Sequence, residues 1–169
     1  IDSGINPDGL NFDQRGNGFS RTVNKATDMG SFEVQNATAL PTVTTIVVND
    51  GSTQRSMITS IKITFSEAVT FPNGINNAFT LTRTTAPTGG ALGSVNISAV
   101  QVGNVVTLTF LNGGAVTLDP FGSLPDGKYS LNIISNRVAG VGGFLDGNIN
   151  GSFQGSPIDD KSVSFYRLF

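Results

Sequence analysis

The stretch DGNINGS, residues 146–152, holds the side chains best suited to chemistry in this chain. It places oxygen-bearing side chains at alternate positions, Asp146, Asn148 and Asn150, and a glycine follows. This D-x-N-x-N-G spacing is the first half of an EF-hand-like loop, in which alternate oxygens and a sharp turn wrap a hard cation. We therefore predict a calcium ion held by these three side chains and by the backbone carbonyl of Ser152.

The second half of this loop departs from the EF-hand pattern. Pro157 occupies the position where a bidentate Glu would stand, so Asp159 or Asp160 would have to close the coordination shell. Only one of the three alternating side chains is charged, which predicts a weak structural site with a dissociation constant on the order of 10⁻⁴–10⁻³ M. The alternative interpretation is a plain Asn/Gly turn without an ion.

Enzymatic chemistry has few candidate residues in this chain. There is no His and no Cys, so neither a Ser-His-Asp triad, a Cys–His pair nor an imidazole or thiolate metal site can form. The adjacent carboxylates Asp159 and Asp160 would point to opposite faces of an extended chain. The glycine-rich residues 140–147 lack the following helix that a phosphate-binding loop requires. We expect no catalytic residue, no cofactor-binding residue and no enzymatic activity.

Composition and charge exclude two further classes of function. The net charge is −2 and the ten Lys and Arg residues are scattered singly, whereas nucleic-acid binding relies on clustered basic residues. No run of apolar residues is long enough to span a membrane. Charged residues make up only 13% of the chain, beside many Gly and β-branched residues. This composition is typical of extracellular β-proteins.

Alternating apolar and polar residues predict an all-β fold. Residues 60–65, SIKITF, place Ile61, Ile63 and Phe65 on one face, as a half-buried strand requires. About eight such short strands, separated by turn signals, indicate an immunoglobulin-like antiparallel β-sandwich. The predicted core consists of the inward-phase residues of these strands: Ile46, Val48, Ile61, Ile63, Phe65, Phe79, Leu81, Val106, Leu108, Phe110, Tyr129, Leu131 and Ile133.

The alternation divides the chain into three segments. Residues 1–35 have little periodicity and predict an irregular N-terminal arm, with a strand only at residues 31–34. Residues 36–41, NATALP, are interpreted as a linker. Residues 42–169 form the predicted sandwich, which includes a short strand at residues 68–71.

Residues 41–153 contain the stretches PTVTTIVVNDGS, ITSIKITFSEAVTF, AFTLTR, VVTLTF and LPDGKYSLNI, in that order. Through these stretches they resemble bacterial Ig-like domains of the kind found in S-layer and other surface proteins. In that family FSEAV follows the second strand, and Gly-x-Tyr, here Gly127 to Tyr129, opens a late strand. The resemblance implies an Ig-like sandwich, and we expect the hydroxyl of Tyr129 to be tied to backbone near the preceding turn.

Two flanking stretches resemble parts of larger exported bacterial proteins. Residues 13–33 are similar to the closing segment of right-handed β-helix surface domains, through DQRG, Arg21 and DMGSFE at residues 28–33. The ending FYRLF is similar to the stretch that precedes a dockerin-like calcium module. These resemblances imply a slice of a modular protein that is secreted or displayed on the cell surface. The arm would then be the tail of a preceding module.

These expectations together favour a non-catalytic structural, spacer or adhesion module whose partners are neighbouring modules of the same polypeptide or surface assembly. The alternative is a carbohydrate-binding accessory module with polysaccharide as its ligand. Such modules usually present exposed aromatic rings. This chain has no Trp, two Tyr and twelve Phe, and we expect most of the Phe side chains to face inward.

Overall fold

The computed structural model describes residues 4–23, 27, 39–51 and 56–167. The chain divides into two compact units, Ile1–Thr38 and Ala39–Phe169. The predicted strand at residues 31–34, the DMGSFE motif and residues 36–38 of the predicted linker lie outside the described residues.

The first unit is irregular in its described part, as the sequence predicts. Its pairing is limited there to isolated bridges, such as the one between Phe12 and Ser20. Asp13 is buried and forms an ion pair with Arg15 at 2.5 Å. The Arg15 guanidinium lies 4.2 Å from the ring centroid of Phe19. These local contacts order the DQRG turn.

The described residues of the second unit form seven strands and two short 3₁₀ helices. The strands are β1 (Val43–Val48), β2 (Ser60–Phe65), β3 (Phe79–Thr85), β4 (Gly93–Val102), β5 (Val105–Leu111), β6 (Gly127–Ile133) and β7 (Lys161–Arg167). The 3₁₀ helices are η1 (Ile75–Ala78) and η2 (Ser135–Arg137). No helix in the described ranges is long and apolar enough to cross a bilayer.

All strand pairs are antiparallel, in the order β1-β2-β5-β4-β3-β6-β7. β4 pairs with β3 through residues 93–95 and with β5 through residues 96–102. It therefore passes from one half of the sheet to the other. Buried side chains from both halves lie in one hydrophobic core, which confirms the antiparallel Ig-like sandwich.

The predicted inward phase of the strands is confirmed. Every predicted core residue is buried except Ile46, which is partly buried and packs against the core. The two-residue link at Gly103 and Asn104 joins β4 to β5 as predicted. The prediction of a strand at residues 68–71 was wrong, because only Thr70 forms a bridge, with Ala139.

Several core residues lie outside the strands. Ile58, Leu124 and Leu145 are fully buried, although each lies in a loop. Ile58 and Leu124 are joined through backbone, since the Leu124 N–H donates to the Ile58 carbonyl oxygen at 3.0 Å. Loops thus close the open ends of the core.

Tyr129 forms the predicted corner at the start of β6. Its side chain is fully buried, and its hydroxyl donates a hydrogen bond of 2.5 Å to the Pro125 carbonyl oxygen. The ring stacks on Phe165 with centroids 5.6 Å apart. Burial raises the pKa of Tyr129 to about 12. Gly127 enters the corner at φ 155°, where a Cβ would collide with the Thr85 carbonyl oxygen, so glycine is required.

Candidate metal-binding loop

The predicted calcium loop lies between η2 and β7, and both of its ends are fixed by backbone hydrogen bonds. The Asp146 N–H donates to the Pro41 carbonyl oxygen at 2.9 Å. The Gly147 N–H donates to the Asp159 carbonyl oxygen, also at 2.9 Å. Leu145, just before the loop, is fully buried in the core. Residues 147–159 are therefore closed into a ring on a rigid base.

Asp146 organises the first half of this ring. Its side chain is buried, and Oδ1 accepts a hydrogen bond from the Asn150 N–H at 3.1 Å. Oδ2 accepts one from the Gly151 N–H at 2.7 Å. Two backbone donors thus turn towards this carboxylate, so the chain curls around it as the D-x-N-x-N-G spacing predicts.

The two asparagines extend the turn towards solvent. Asn148 Oδ1 accepts from the Asn150 N–H at 3.1 Å, and Asn150 Oδ1 accepts from the Ser152 N–H at 2.9 Å. Both side-chain amides donate to Gln154 Oε1, at 3.3 Å from Asn148 and 2.7 Å from Asn150. All three predicted positions 148, 150 and 152 are exposed. Gln154 was not predicted, because it falls outside the alternating motif.

Asp159 faces the same ring from its second half. It is fully buried, and its Oδ2 accepts hydrogen bonds from the Gln154 N–H and, at 2.9 Å, from the Gly155 N–H. Its Oδ1 is buried and accepts no hydrogen bond from any residue that the structure describes. A buried carboxylate oxygen without a partner is energetically costly.

Asp160, the other acid predicted to close the shell, has both carboxylate oxygens occupied by hydrogen bonds. Its Oδ1 accepts from the Ser135 N–H at 2.8 Å and from the Ser135 hydroxyl at 3.0 Å. Its Oδ2 accepts from Asn132 Nδ2 and from the Ser156 hydroxyl, each at 3.1 Å. Burial acts to raise the pKa of Asp160, but these hydrogen bonds outweigh it and hold the pKa below its ordinary value. The side chain joins the loop to β6 and η2.

The donor set of the ring is made of oxygen atoms. No group of three or more His, Cys, Asp or Glu side chains that could hold a metal occurs within the ranges given above. An ion at this place would therefore have two carboxylates, from Asp146 and Asp159, and would complete its shell with amide or carbonyl oxygens or with water. Such a set fits a hard cation with flexible coordination.

The aromatic side chains depart from the predicted inward placement. Phe65, Phe79, Phe110 and Phe165 are buried as expected, but other Phe side chains are exposed: Phe12, Phe19, Phe121, Phe144 and Phe153. Phe144, which precedes the candidate ring, contacts Phe153 within it, and the two aromatic rings have centroids 5.2 Å apart and planes inclined by 37°. Phe residues in loops carry no strand phase, so the alternation rule does not place them.

Comparison with known proteins agrees with the fold. The sequence matches the family described as Bacterial Ig-like domain over residues 37–154, which includes β1 to β6 and the first half of the candidate ring. No curated protein and no solved structure matches the chain. The match extends over more than half of the sequence, and the strand order and the Tyr129 corner are consistent with it. The chain belongs to the bacterial Ig-like domain family.

Proposed function

We propose that this chain is a non-catalytic structural module of a large exported bacterial protein, secreted or displayed on the cell surface. It would hold neighbouring modules at a fixed separation or contribute to adhesion. Membership of the bacterial Ig-like family supports the class of module. The absence of His and Cys from the sequence supports the non-catalytic part of the proposal. The observation that carries the spacer role is the fixation of the end of β7.

Arg167, the last residue of β7, is bound to several loops at once. Its Nε donates to the Ser56 carbonyl oxygen at 2.9 Å, and its Nη1 donates to the Leu124 carbonyl oxygen. The guanidinium also pairs with Asp119 at 3.1 Å and with Asp126 at 3.5 Å. A planar guanidinium with several donors is well suited to such a junction.

This junction fixes the point at which the chain leaves the sandwich. A spacer controls the position of the next module only if its last strand cannot fray from the sheet. Strand ends usually fray unless they are tied down. Because the Arg167 side chain is only 15% exposed, its ion pairs are partly shielded from solvent. The end of β7 therefore has the rigidity that a spacer needs.

The surface-protein context of the proposal rests on sequence resemblance. Residues 13–33 resemble the tail of a β-helix module, and FYRLF resembles a stretch that precedes another module. The partners proposed here are accordingly the neighbouring modules of the same polypeptide, in an S-layer or similar surface assembly.

The spacer role can be tested by measuring how widely the position of a following module varies relative to the sandwich. The chain has no Cys, so a spin label can be attached at Lys62→Cys in β2 and a second one on a rigid reporter domain fused after residue 169. We expect a narrow distribution of distances between the labels by pulsed electron paramagnetic resonance. Arg167→Ala should broaden it markedly. Arg137→Ala is the matched control, since that guanidinium binds the Asn77 carbonyl oxygen at 2.7 Å instead. A wild-type distribution as broad as that of Arg167→Ala would overturn the proposal.

The alternative carbohydrate-binding role has a separate test. The inclined rings of Phe144 and Phe153 do not form the flat platform that usually stacks on sugars, and Phe121 is a single exposed ring. We therefore expect the whole chain to give no saturable binding on a glycan array. Saturable binding that is lost in Phe121→Ala or Phe144→Ala would replace the spacer role by the carbohydrate-binding one.

A further inference from the structure

We propose that the ring of residues 147–159 binds one calcium ion between the carboxylates of Asp146 and Asp159, and that Asp160 takes no part in coordination. This inference is independent of the spacer role. It rests on where the two carboxylates lie, on one unsatisfied oxygen and on the absence of a compensating cation.

The backbone brings both carboxylates to one closed ring. Asp146 accepts hydrogen bonds from the N–H groups of residues 150 and 151, and Asp159 accepts them from the N–H groups of residues 154 and 155. The Gly147 N–H binds the Asp159 carbonyl oxygen, so the ring closes where the two acids are adjacent through backbone. Each carboxylate therefore accepts its hydrogen bonds from N–H groups of the same ring.

The unsatisfied Oδ1 of Asp159 indicates that a ligand is bound at the ring. Asp159 is fully buried, yet its Oδ1 has no hydrogen-bond partner among the described residues. Nearly all buried polar atoms in proteins are satisfied, and one that is not commonly marks the place of a water or an ion. A plain Asn/Gly turn gives no reason to bury this oxygen.

Charge distinguishes an ion from a water molecule at this position. Asp146 and Asp159 are both buried, and neither forms an ion pair with Lys or Arg in the part of the chain that the structure describes. Two like charges within one closed loop repel each other, and burial removes the water that would screen them. A divalent cation would neutralise both, whereas a water molecule would leave the repulsion in place.

The ligand atoms select the kind of cation. All donors of the ring are oxygens, and the chain has no His or Cys to attract zinc or copper. Magnesium requires nearly ideal octahedral geometry, while calcium accepts carboxylates mixed with neutral oxygens in irregular shells. Asn148, Asn150 and Gln154 add neutral side-chain oxygens to the ring. Calcium is the cation that fits this set.

Bound calcium would fix both ends of the sandwich domain. Asp146 binds Pro41, two residues before β1 begins, and Asp159 lies two residues before β7 begins. An ion that links the two acids would couple the entry of the chain into β1 to its entry into β7. The stiffness of this connection between the two chain segments would then depend on the external calcium concentration.

The test uses the whole chain with calcium chloride as the probe. Calorimetry should detect one bound ion with a dissociation constant on the order of 10⁻⁴–10⁻³ M. At about 10 mM calcium the ratio of folded to unfolded protein should then rise about 10- to 100-fold, seen as a higher melting temperature than in chelator. Magnesium at equal concentration should give a much smaller rise.

Isosteric variants separate the two adjacent acids. Asp159→Asn keeps one oxygen acceptor for the N–H groups of residues 154 and 155 but removes a charge. It should abolish the calcium response without lowering stability in chelator, because one of the two repelling charges is gone. Asp146→Asn should also abolish the response. Asp160→Asn is the matched control. Its melting temperature should be lower than that of the wild type both in chelator and in calcium, but calcium should raise it by the full wild-type amount.

The outcomes are decisive in both directions. If the wild type has the same melting temperature in calcium and in chelator and gives no heat of binding, the ring is a plain turn without an ion. Loss of the response in Asp160→Asn together with its retention in Asp159→Asn would place the ion elsewhere. An equal response to magnesium would overturn the choice of calcium. If Asp146→Asn fails to fold, Asp159→Asn alone decides the proposal.

Discussion

Replacing Tyr129 by Phe removes a single oxygen atom from the corner at the start of β6. The ring keeps its place, because it is fully buried and stacks on Phe165 at 5.6 Å. The change deletes the 2.5 Å hydrogen bond to the Pro125 carbonyl oxygen and leaves that acceptor without its donor. The variant therefore isolates the corner hydrogen bond from the packing of the ring.

The magnitude follows from the burial of the two partners. Loss of one partner of a buried hydrogen bond costs about 1–3 kcal/mol, and the half-buried Pro125 can regain part of this from water. We expect Tyr129→Phe to lower the free energy of unfolding by about 1–2 kcal/mol. For a domain of this size that corresponds to a fall in melting temperature of roughly 2–8 °C. Tyr166→Phe is the control, because Tyr166 is 53% exposed, and it should change stability by less than about 0.5 kcal/mol.

Alkaline pH provides a second signature of the same corner. The pKa of Tyr129 is about 12 in the folded protein, while an unfolded tyrosine has a pKa of about 10. Between these values the unfolded chain releases a proton that the folded chain keeps, so stability falls as the pH rises. The slope from this one group is at most about 1.4 kcal/mol per pH unit.

The assay is urea unfolding of both variants at pH 7, 10 and 11.5. At pH 7 the free energy of unfolding of Tyr129→Phe should be lower than that of the wild type. Between pH 7 and 11.5 it should fall by less than the wild-type value does. The Tyr166→Phe curve should follow the wild type. Equal losses in the two variants at pH 7, or identical alkaline slopes in all three proteins, would refute the corner as described.

The same unfolding assay tests two other features. Leu108→Ala in β5 should lower the free energy of unfolding by about 2–5 kcal/mol, whereas Val100→Ala on the exposed side of β4 should lower it much less. Similar losses in the two variants would mean that the inward face was assigned wrongly. The hydrogen bonds that lower the pKa of Asp160 stabilise the fold above its ordinary pKa of about 4, and this contribution disappears as the pH falls through the lower folded value. Asp160→Asn should therefore lose less stability than wild type between pH 5 and 2, and a parallel acid profile would contradict this assignment.

Period-two alternation predicted the strands β1 to β7 and their inward residues, but it also predicted a strand at residues 68–71 that does not form. It works because each strand has one face in the core, so Phe65 and Leu108 could be placed from their neighbours alone. It could not place Ile58 or Leu145, since a loop has no period and its buried residues are selected by the shape of the core. The exposed Phe121 was missed for the same reason.

The candidate site was predictable only in part. The D-x-N-x-N-G spacing located Asp146 and the turn that surrounds it. The sequence could not distinguish Asp159 from Asp160, because adjacent residues of the same type differ only in the direction in which they point. That direction is set by the hydrogen bond from the Gly147 N–H to the Asp159 carbonyl oxygen and by the contact of Asp160 with Ser135.

The passage of β4 between the two halves of the sheet bears on self-association. Two separate sheets would present two edge strands each, with backbone groups free to pair with another molecule. Here one sheet continues from β1 to β7, so in the described part of the chain these two strands form its outer edges. β7 begins with a charged residue, Lys161, whereas β1 has the uncharged sequence VTTIVV and a register shift between Val43 and Thr45. A charge at one edge and a bulge at the other both disfavour backbone pairing with a neighbouring molecule.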